Sequence, residues 1–227
     1  MTKNFPKKPS FIAVEGCIGV GKTTLCEALA RRLNAKTLFE QVEENPFLED
    51  FYKDVDAYAF RTQIFFLLSR YKQQEALGQR ELFDQTVVAD YCIAKDRIFA
   101  QMNLSKAELG LYDQLFETLF RHVQVPDLIV YLRAPLDVIK ARIKQRARPF
   151  EKEIEDAYLS RLMASYDQFF ATFSICPVLV VETQELNFPS REGDLNYVMD
   201  AIGEVMHHKK SKHLVTASDK EQPNLFG

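Results

Sequence analysis

No apolar run in this 227-residue chain approaches the ~20 residues that a membrane-spanning helix needs, so no bilayer role is expected. Net charge is also lacking: at −3, with a pI near 5.9, no overall positive field exists to hold a polyanion such as DNA, and phosphate recognition must be local. Cys17, Cys26, Cys92 and Cys176 are scattered, without Cys-x-x-Cys or paired Cys/His spacing, which argues against a zinc site and for reduced thiols. Residues 1–10 carry Lys3, Lys7 and Lys8 but are broken by Pro6 and Pro9, and no long apolar stretch follows. They read as an N-terminal extension rather than a targeting segment, and the expected location is the cytoplasm. There is no internal repeat, and the length leaves no room for a second large domain.

What is present is a 47% hydrophobic, 27% charged composition that can bury one sizeable core. Five short apolar runs, Phe11–Glu15, Thr37–Glu40, Thr86–Asp90, Asp127–Leu132 and Pro177–Glu182, alternate with segments of helical period. This alternation predicts an α/β fold, a five-stranded parallel sheet flanked by helices. Thr23–Leu33 sets Leu25, Leu29 and Leu33 on one helical face, and Ala57–Gln74 does the same with Phe60, Ile64, Leu67, Leu68 and Tyr71. Ser105-Lys-Ala-Glu is a capping box opening a helix towards His122, and Pro135, Asp156 and Gly193 lie near three further helix starts. The periodicity lapses after His207, so 11–207 is read as the folded domain and 208–227 as a mobile tail.

Gly16-Cys17-Ile18-Gly19-Val20-Gly21-Lys22-Thr23 fills every fixed position of Gly-x-x-x-x-Gly-Lys-Ser/Thr, between a predicted strand and a predicted helix. Glycines let the backbone N–H groups turn inward, and the helix N-terminus adds partial positive charge, so the segment binds an anion. Lys22 would neutralise the outer phosphates of a nucleoside triphosphate, and Thr23 would offer its hydroxyl to Mg²⁺. Thr24 opens the helix beyond and is counted with the loop.

A phosphate loop alone fits ATPases, GTPase switches and small-molecule kinases, so other residues must decide. The second strand ends at Glu40, on the side of a parallel sheet that faces the ligand crevice, where a carboxylate can accept a proton from a hydroxyl. Arg142, Arg146 and Arg148, at spacings of four and two, would present guanidiniums to an anion. Gln63 and Arg70 are seven apart and share a helical face, suited to a flat heterocycle or simply to a polar helix side.

Over about residues 11–205 this pattern resembles the deoxynucleoside kinases, particularly the bacterial deoxyguanosine and deoxyadenosine kinases. The resemblance rests on Phe-Glu-Gln-Val-Glu-Glu-Asn-Pro-Phe at 39–47, Gln63 to Arg70, Val-Val-Ala-Asp-Tyr at 87–91, and Arg142 to Glu151. It implies that Glu40 is the catalytic base for a 5′-hydroxyl, that Gln63 and Arg70 face the nucleobase, and that Tyr52 and Glu151 bind the 3′-hydroxyl. It also implies that Arg142, Arg146 and Arg148 belong to a lid, about 142–155, that closes over ATP, and that the protein pairs as a homodimer. In two places the chain departs from the family's pattern. Ala89-Asp90-Tyr91 stands where animal-type members have an acidic-Arg-Ser run, so the acid is displaced, the arginine is missing, and the metal role assigned to Asp90 is in question. Ala147 replaces the glycine of Arg-Gly-Arg, with little effect expected if the segment is helical.

The reaction so implied is transfer of the ATP γ-phosphate, with Mg²⁺, to a deoxynucleoside 5′-hydroxyl in nucleotide salvage. Lys95 stands where animal-type relatives carry an aspartate. With Arg70 it would make a donor-rich pocket favouring a purine, guanine ahead of adenine, unless it points to solvent. Other outcomes are a deoxyadenosine or deoxycytidine kinase, a thymidylate-type nucleoside monophosphate kinase, which needs a basic group in place of Glu40, and a nucleotide-dependent switch protein. At the end of the chain, Gln222-Pro-Asn-Leu225-Phe226 is similar to peptides that dock bacterial sliding clamps.

Overall fold

The sheet begins with Phe11–Gly16 (β1), whose six residues are all buried, as a strand covered on both faces must be. The computed structural model describes residues 10–121 and 124–214, and over 77–84 only the course of the helix. Lys36–Leu38 (β2), Val87–Ala89 (β3), Leu128–Arg133 (β4) and Val178–Glu182 (β5) correspond to the other predicted strands. Among the described residues the order is β2-β3-β1-β4-β5-β6, and every neighbouring pair is parallel. Chain direction across the sheet reverses at β1, which has β3 on one side and β4 on the other. The ligand crevice of such a sheet opens at the strands' C-terminal ends there.

The sixth strand, Lys212–Leu214 (β6), corrects both the five-strand expectation and the start of the tail. β6 pairs with β5, Val180 opposite His213. His213 Nε2 lies 2.7 Å from a Glu182 carboxylate that is itself bonded by Arg133 at 2.7 Å, and Leu214 is buried. A three-residue edge strand has no apolar period of its own; its partner strand and the buried His213–Glu182 contact supply its register. Residues 1–9 and 215–227, including Gln222–Phe226, lie outside the described residues.

The helices are Lys22–Leu33 (α1), Leu48–Lys53 (α2), Val55–Asp84 (α3), Asp96–Asn103 (α4), Lys106–Leu119 (α5), Leu136–Arg146 (α6), Asp156–Thr172 (α7) and Glu192–His208 (α8). Ser105 and Glu108 form the capping box expected of α5, and Pro135 stands directly before the first residue of α6. Helix α3, at 30 residues, outruns its apolar stripe because helix-forming Gln, Glu, Ala, Leu and Arg continue it. The core between β1, β4, β5 and helices α1, α7 and α8 is built on Ile12, Val14, Leu25, Leu29, Val130, Leu162, Phe170, Val180 and Ile202. Among the described residues no helix is long and apolar enough to cross a membrane.

Candidate active site

A cleft of about 950 Å³ opens over the C-terminal end of β1. One end is lined by the loop residues Ile18 to Thr24, Arg142 and Asn187 to Ser190; the other by Glu40, Tyr52, Gln63, Phe66, Arg70, Phe99 and Glu151. The loop turns through Gly16, Gly19 and Gly21 at positive φ, so its bend depends on glycine. Gly16 sits against β4, where an added Cβ would come within 2.5 Å of the Leu132 carbonyl oxygen. Cys17 and Val20 are buried beneath the loop. Lys22 Nζ donates to the Gly16 and Cys17 carbonyls at 2.8 and 3.2 Å. Burial, and after it the charge of Lys95, lower the Lys22 pKa.

Glu40 lies two residues beyond the end of β2 rather than on it, in the turn before a 3₁₀ segment at Val42–Glu44. Asp90, just past β3, holds it there. The Glu40 backbone N–H donates to Asp90 Oδ1 at 2.7 Å, and the Thr23 hydroxyl donates to Asp90 Oδ2 at 2.9 Å. Asp90 therefore joins the phosphate loop to the carboxylate across 67 and 50 residues of sequence. Burial and the Glu40 charge raise the Asp90 pKa.

The Glu40 side chain is gripped from two sides. Arg70 donates to Oε1 through Nε at 2.9 Å and also through Nη2, while Lys95 Nζ lies 2.9 Å from Oε2. Burial alone would raise the Glu40 pKa, but Arg70 and Lys95 outweigh it and hold the carboxylate well below its ordinary value. Arg70 and Lys95 are 4% and 2% exposed, so their charges are matched inside the protein. Lys95 is thus not the solvated helix residue that the sequence also allowed: it is buried, lines the cleft and gives one of its three N–H groups to Glu40. Its neighbour Asp96, which sequence reasoning missed, is fully buried and accepts from Arg70 Nη1 and from Gln63 Nε2 at 2.6 Å. An acid at the start of α4 reads in sequence as a helix-dipole partner, and no local pattern marks it as more. Gln63 and Arg70 do share a face, with Phe66 between them and 5.0 Å from the guanidinium.

At the other rim Glu151 is buried and accepts from Arg146 through Nη2 and through Nε at 3.1 Å, with Arg148 3.8 Å away. Arg148 also lies 3.3 Å from Glu43. Tyr52 packs edge-on to Tyr158 and Phe51. Arg142 does not join Arg146 and Arg148: it donates to the Val20 carbonyl at 2.9 Å and to the Thr183 hydroxyl and carbonyl at 2.9 and 2.7 Å. Between the arginines Ala147 adopts φ 55°, ψ 35°, in the left-handed region and not the helical one, so the premise that alanine is neutral here does not hold. Helix α6 ends there in a left-handed cap, the position that favours glycine.

As for a metal, among the described residues no group of three or more His, Cys, Asp or Glu could cage one. The hard-oxygen pair Thr23 and Asp90 at the mouth of the loop fits Mg²⁺, which is commonly held by one or two protein oxygens together with substrate phosphates and water.

A phosphate loop, a buried carboxylate tied to it through one aspartate, and an adjoining pocket of polar and aromatic side chains define a P-loop phosphotransferase for a small acceptor. The deoxynucleoside kinase family model matches residues 12–207, and the chain belongs to that family. It is 34% identical to a deoxyadenosine/deoxycytidine kinase of Bacillus subtilis (strain 168) over 223 residues, 93% of this chain and 100% of that one. A deoxyguanosine kinase of the same organism is 36% identical over 201 residues, 86% and 97% of the two chains. The solved structure of a deoxyadenosine kinase from M. mycoides with bound dATP superposes with a TM-score of 0.72 at 27% identity, covering 85% of this chain and 98% of that one.

Proposed function

We propose that the protein transfers the γ-phosphate of ATP to the 5′-hydroxyl of a deoxynucleoside, a purine by preference, in cytoplasmic nucleotide salvage. The observation that carries this reading is the chain of contacts Thr23–Asp90–Glu40, which sets an ionised carboxylate beside the phosphate loop and within one cleft. Glu40 takes the acceptor's proton while the new O–P bond forms in line and ADP leaves. Backbone N–H groups of Gly19 to Thr23 cradle the phosphates, and Lys22 with Arg146 and Arg148 draws charge from the transferring group. For these two arginines to do so they must turn from Glu151, a movement of the lid. Thr23 and Asp90 would hold Mg²⁺ together with the triphosphate, and the ion would supply further charge neutralisation there. Arg142, fixed between the loop and Thr183, shapes the nucleotide end. Tyr52 and Glu151 flank the sugar, and Gln63 and Arg70, both held by Asp96, face the base.

An acceptor that already carries a phosphate fits less well, because the Arg70 and Lys95 charges are matched by Glu40 and Asp96. The purine preference rests on the relatives named deoxyguanosine and deoxyadenosine kinases, while a relative named deoxyadenosine/deoxycytidine kinase makes deoxycytidine the competing acceptor. Exposed Leu68 on α3 and Leu111 and Leu115 on α5 support a homodimer formed through these packed helices. Turnover measured with ATP·Mg²⁺ on deoxyguanosine, deoxyadenosine, deoxycytidine and thymidine tests the reading. Purines should lead; a pyrimidine lead overturns the preference, and phosphorylation only of nucleoside monophosphates overturns the acceptor class.

A further inference from the structure

A lysine ammonium 2% exposed to solvent is costly unless paired, and an apolar side chain of similar size would fill the place of Lys95 at less expense. Lys95 ends a 3₁₀ turn at Ile93–Lys95, and burial lowers its pKa less than Glu40 and Glu15 raise it. The charges around it are Glu15 on β1, Lys22 on α1, Arg70 on α3, Glu40 beyond β2, Asp90 beyond β3 and Asp96 on α4. The fully buried ring of Tyr91 lies 6.0 Å from Nζ and 5.9 Å from the Arg70 guanidinium, so both cations rest against one aromatic wall.

The two cations hold Glu40 differently. Arg70 sends two hydrogen bonds to Oε1, besides the one that Asp96 accepts, and Lys95 sends one to Oε2. An ionised carboxylate offers about four lone-pair sites. Two on Oε1 are taken and one on Oε2 is taken, so the remaining site is on the oxygen that Lys95 grips. A carboxylate fastened at one oxygen can pivot about it; a second contact at the other oxygen stops the pivot.

We propose that Lys95 is a positioning residue for phosphoryl transfer: it fixes Glu40 Oε2 so that this oxygen's remaining lone pair meets the acceptor hydroxyl, and it takes no part in reading the base. The inference rests on Glu40 as the proton acceptor. In the step, the hydroxyl proton passes to Oε2, the acceptor oxygen bonds to the γ-phosphorus, the bond to the bridging oxygen breaks and ADP departs. Lys95 stays protonated throughout.

The test is a double-mutant cycle with Lys95→Met and Glu40→Gln, assayed on four deoxynucleosides with ATP·Mg²⁺. Lys95→Met should lower kcat roughly ten- to a hundredfold, the scale of a misplaced catalytic group, with nucleoside KM within about threefold and the order of the four nucleosides kept. The double variant should be no slower than Glu40→Gln alone, because Lys95 acts through Glu40. Losses that multiply, an unchanged kcat, or a reordered nucleoside preference would each overturn the proposal. Lys95→Gln, read by the same criteria, serves if the methionine variant does not fold. Failure of the underlying reading shows separately, as a Glu40→Gln variant with wild-type turnover.

Discussion

Replacing Glu40 by glutamine should damage stability and turnover together. The carboxylate is 13% exposed and is the shared counter-charge of Arg70 and Lys95. An amide has one acceptor oxygen, so one of the two buried cations is left facing an NH₂ donor. Breaking a buried pair by removing a partner costs about 3–5 kcal/mol. Asp96 still pairs with Arg70, which points to the lower end, about 3 kcal/mol. For a chain of this size each kcal/mol moves Tm by roughly 2–4 °C, so the expected drop is about 6–12 °C. Loss of the proton acceptor should lower kcat on the order of a hundredfold or more. Differential scanning fluorimetry and a coupled ADP-release assay on the same preparation read both effects, with circular dichroism to confirm folding. A Tm within about 2 °C of wild type would refute the shared counter-charge, and an unchanged kcat would remove Glu40 from the chemistry.

Other expectations follow from local geometry. Gly16→Ala should abolish triphosphate binding measured by calorimetry, because its Cβ would meet the Leu132 carbonyl oxygen at 2.5 Å and backbone cannot yield as a side chain can. Ala147→Gly should raise stability by up to about 1 kcal/mol by relieving a left-handed alanine, seen as a higher denaturation midpoint; a lower midpoint would count against strain at that cap. Burial pushes the thiols of Cys17 and Cys176 up to about 12 and those of Cys26 and Cys92 well above the usual range. A group so raised stays protonated below that pH, so iodoacetamide at pH 8 should label all four slowly in the native protein and fast in denaturant, as followed by mass spectrometry.

The parts legible in the sequence are those encoded contiguously. The phosphate loop is eight consecutive residues whose glycines and lysine act on one another locally, and the buried strands declare themselves by unbroken apolar runs such as Leu-Ile-Val-Tyr-Leu at 128–132. Gln63 and Arg70 share a face because a helix repeats, whatever it packs against. The resemblance extended this to Glu40, Tyr52 and Glu151.

Which charges meet was decided by the tertiary structure. That Lys95 is buried against Glu40 and not a solvated helix residue shows only once the fold lays the turn after β3 against the one after β2. Asp96 is silent in sequence because an acid opening a helix has an ordinary explanation. The β6 strand has no pattern of its own, since a three-residue edge borrows its register from β5 and from the buried His213–Glu182 contact. Ala147 looks helical until the chain must leave α6 and turn Arg148 towards Glu43 and Glu151. Periodicity reports how a segment relates to its own axis. A buried ion pair relates two segments tens of residues apart, and only the packing of the sheet and its helices brings them within reach.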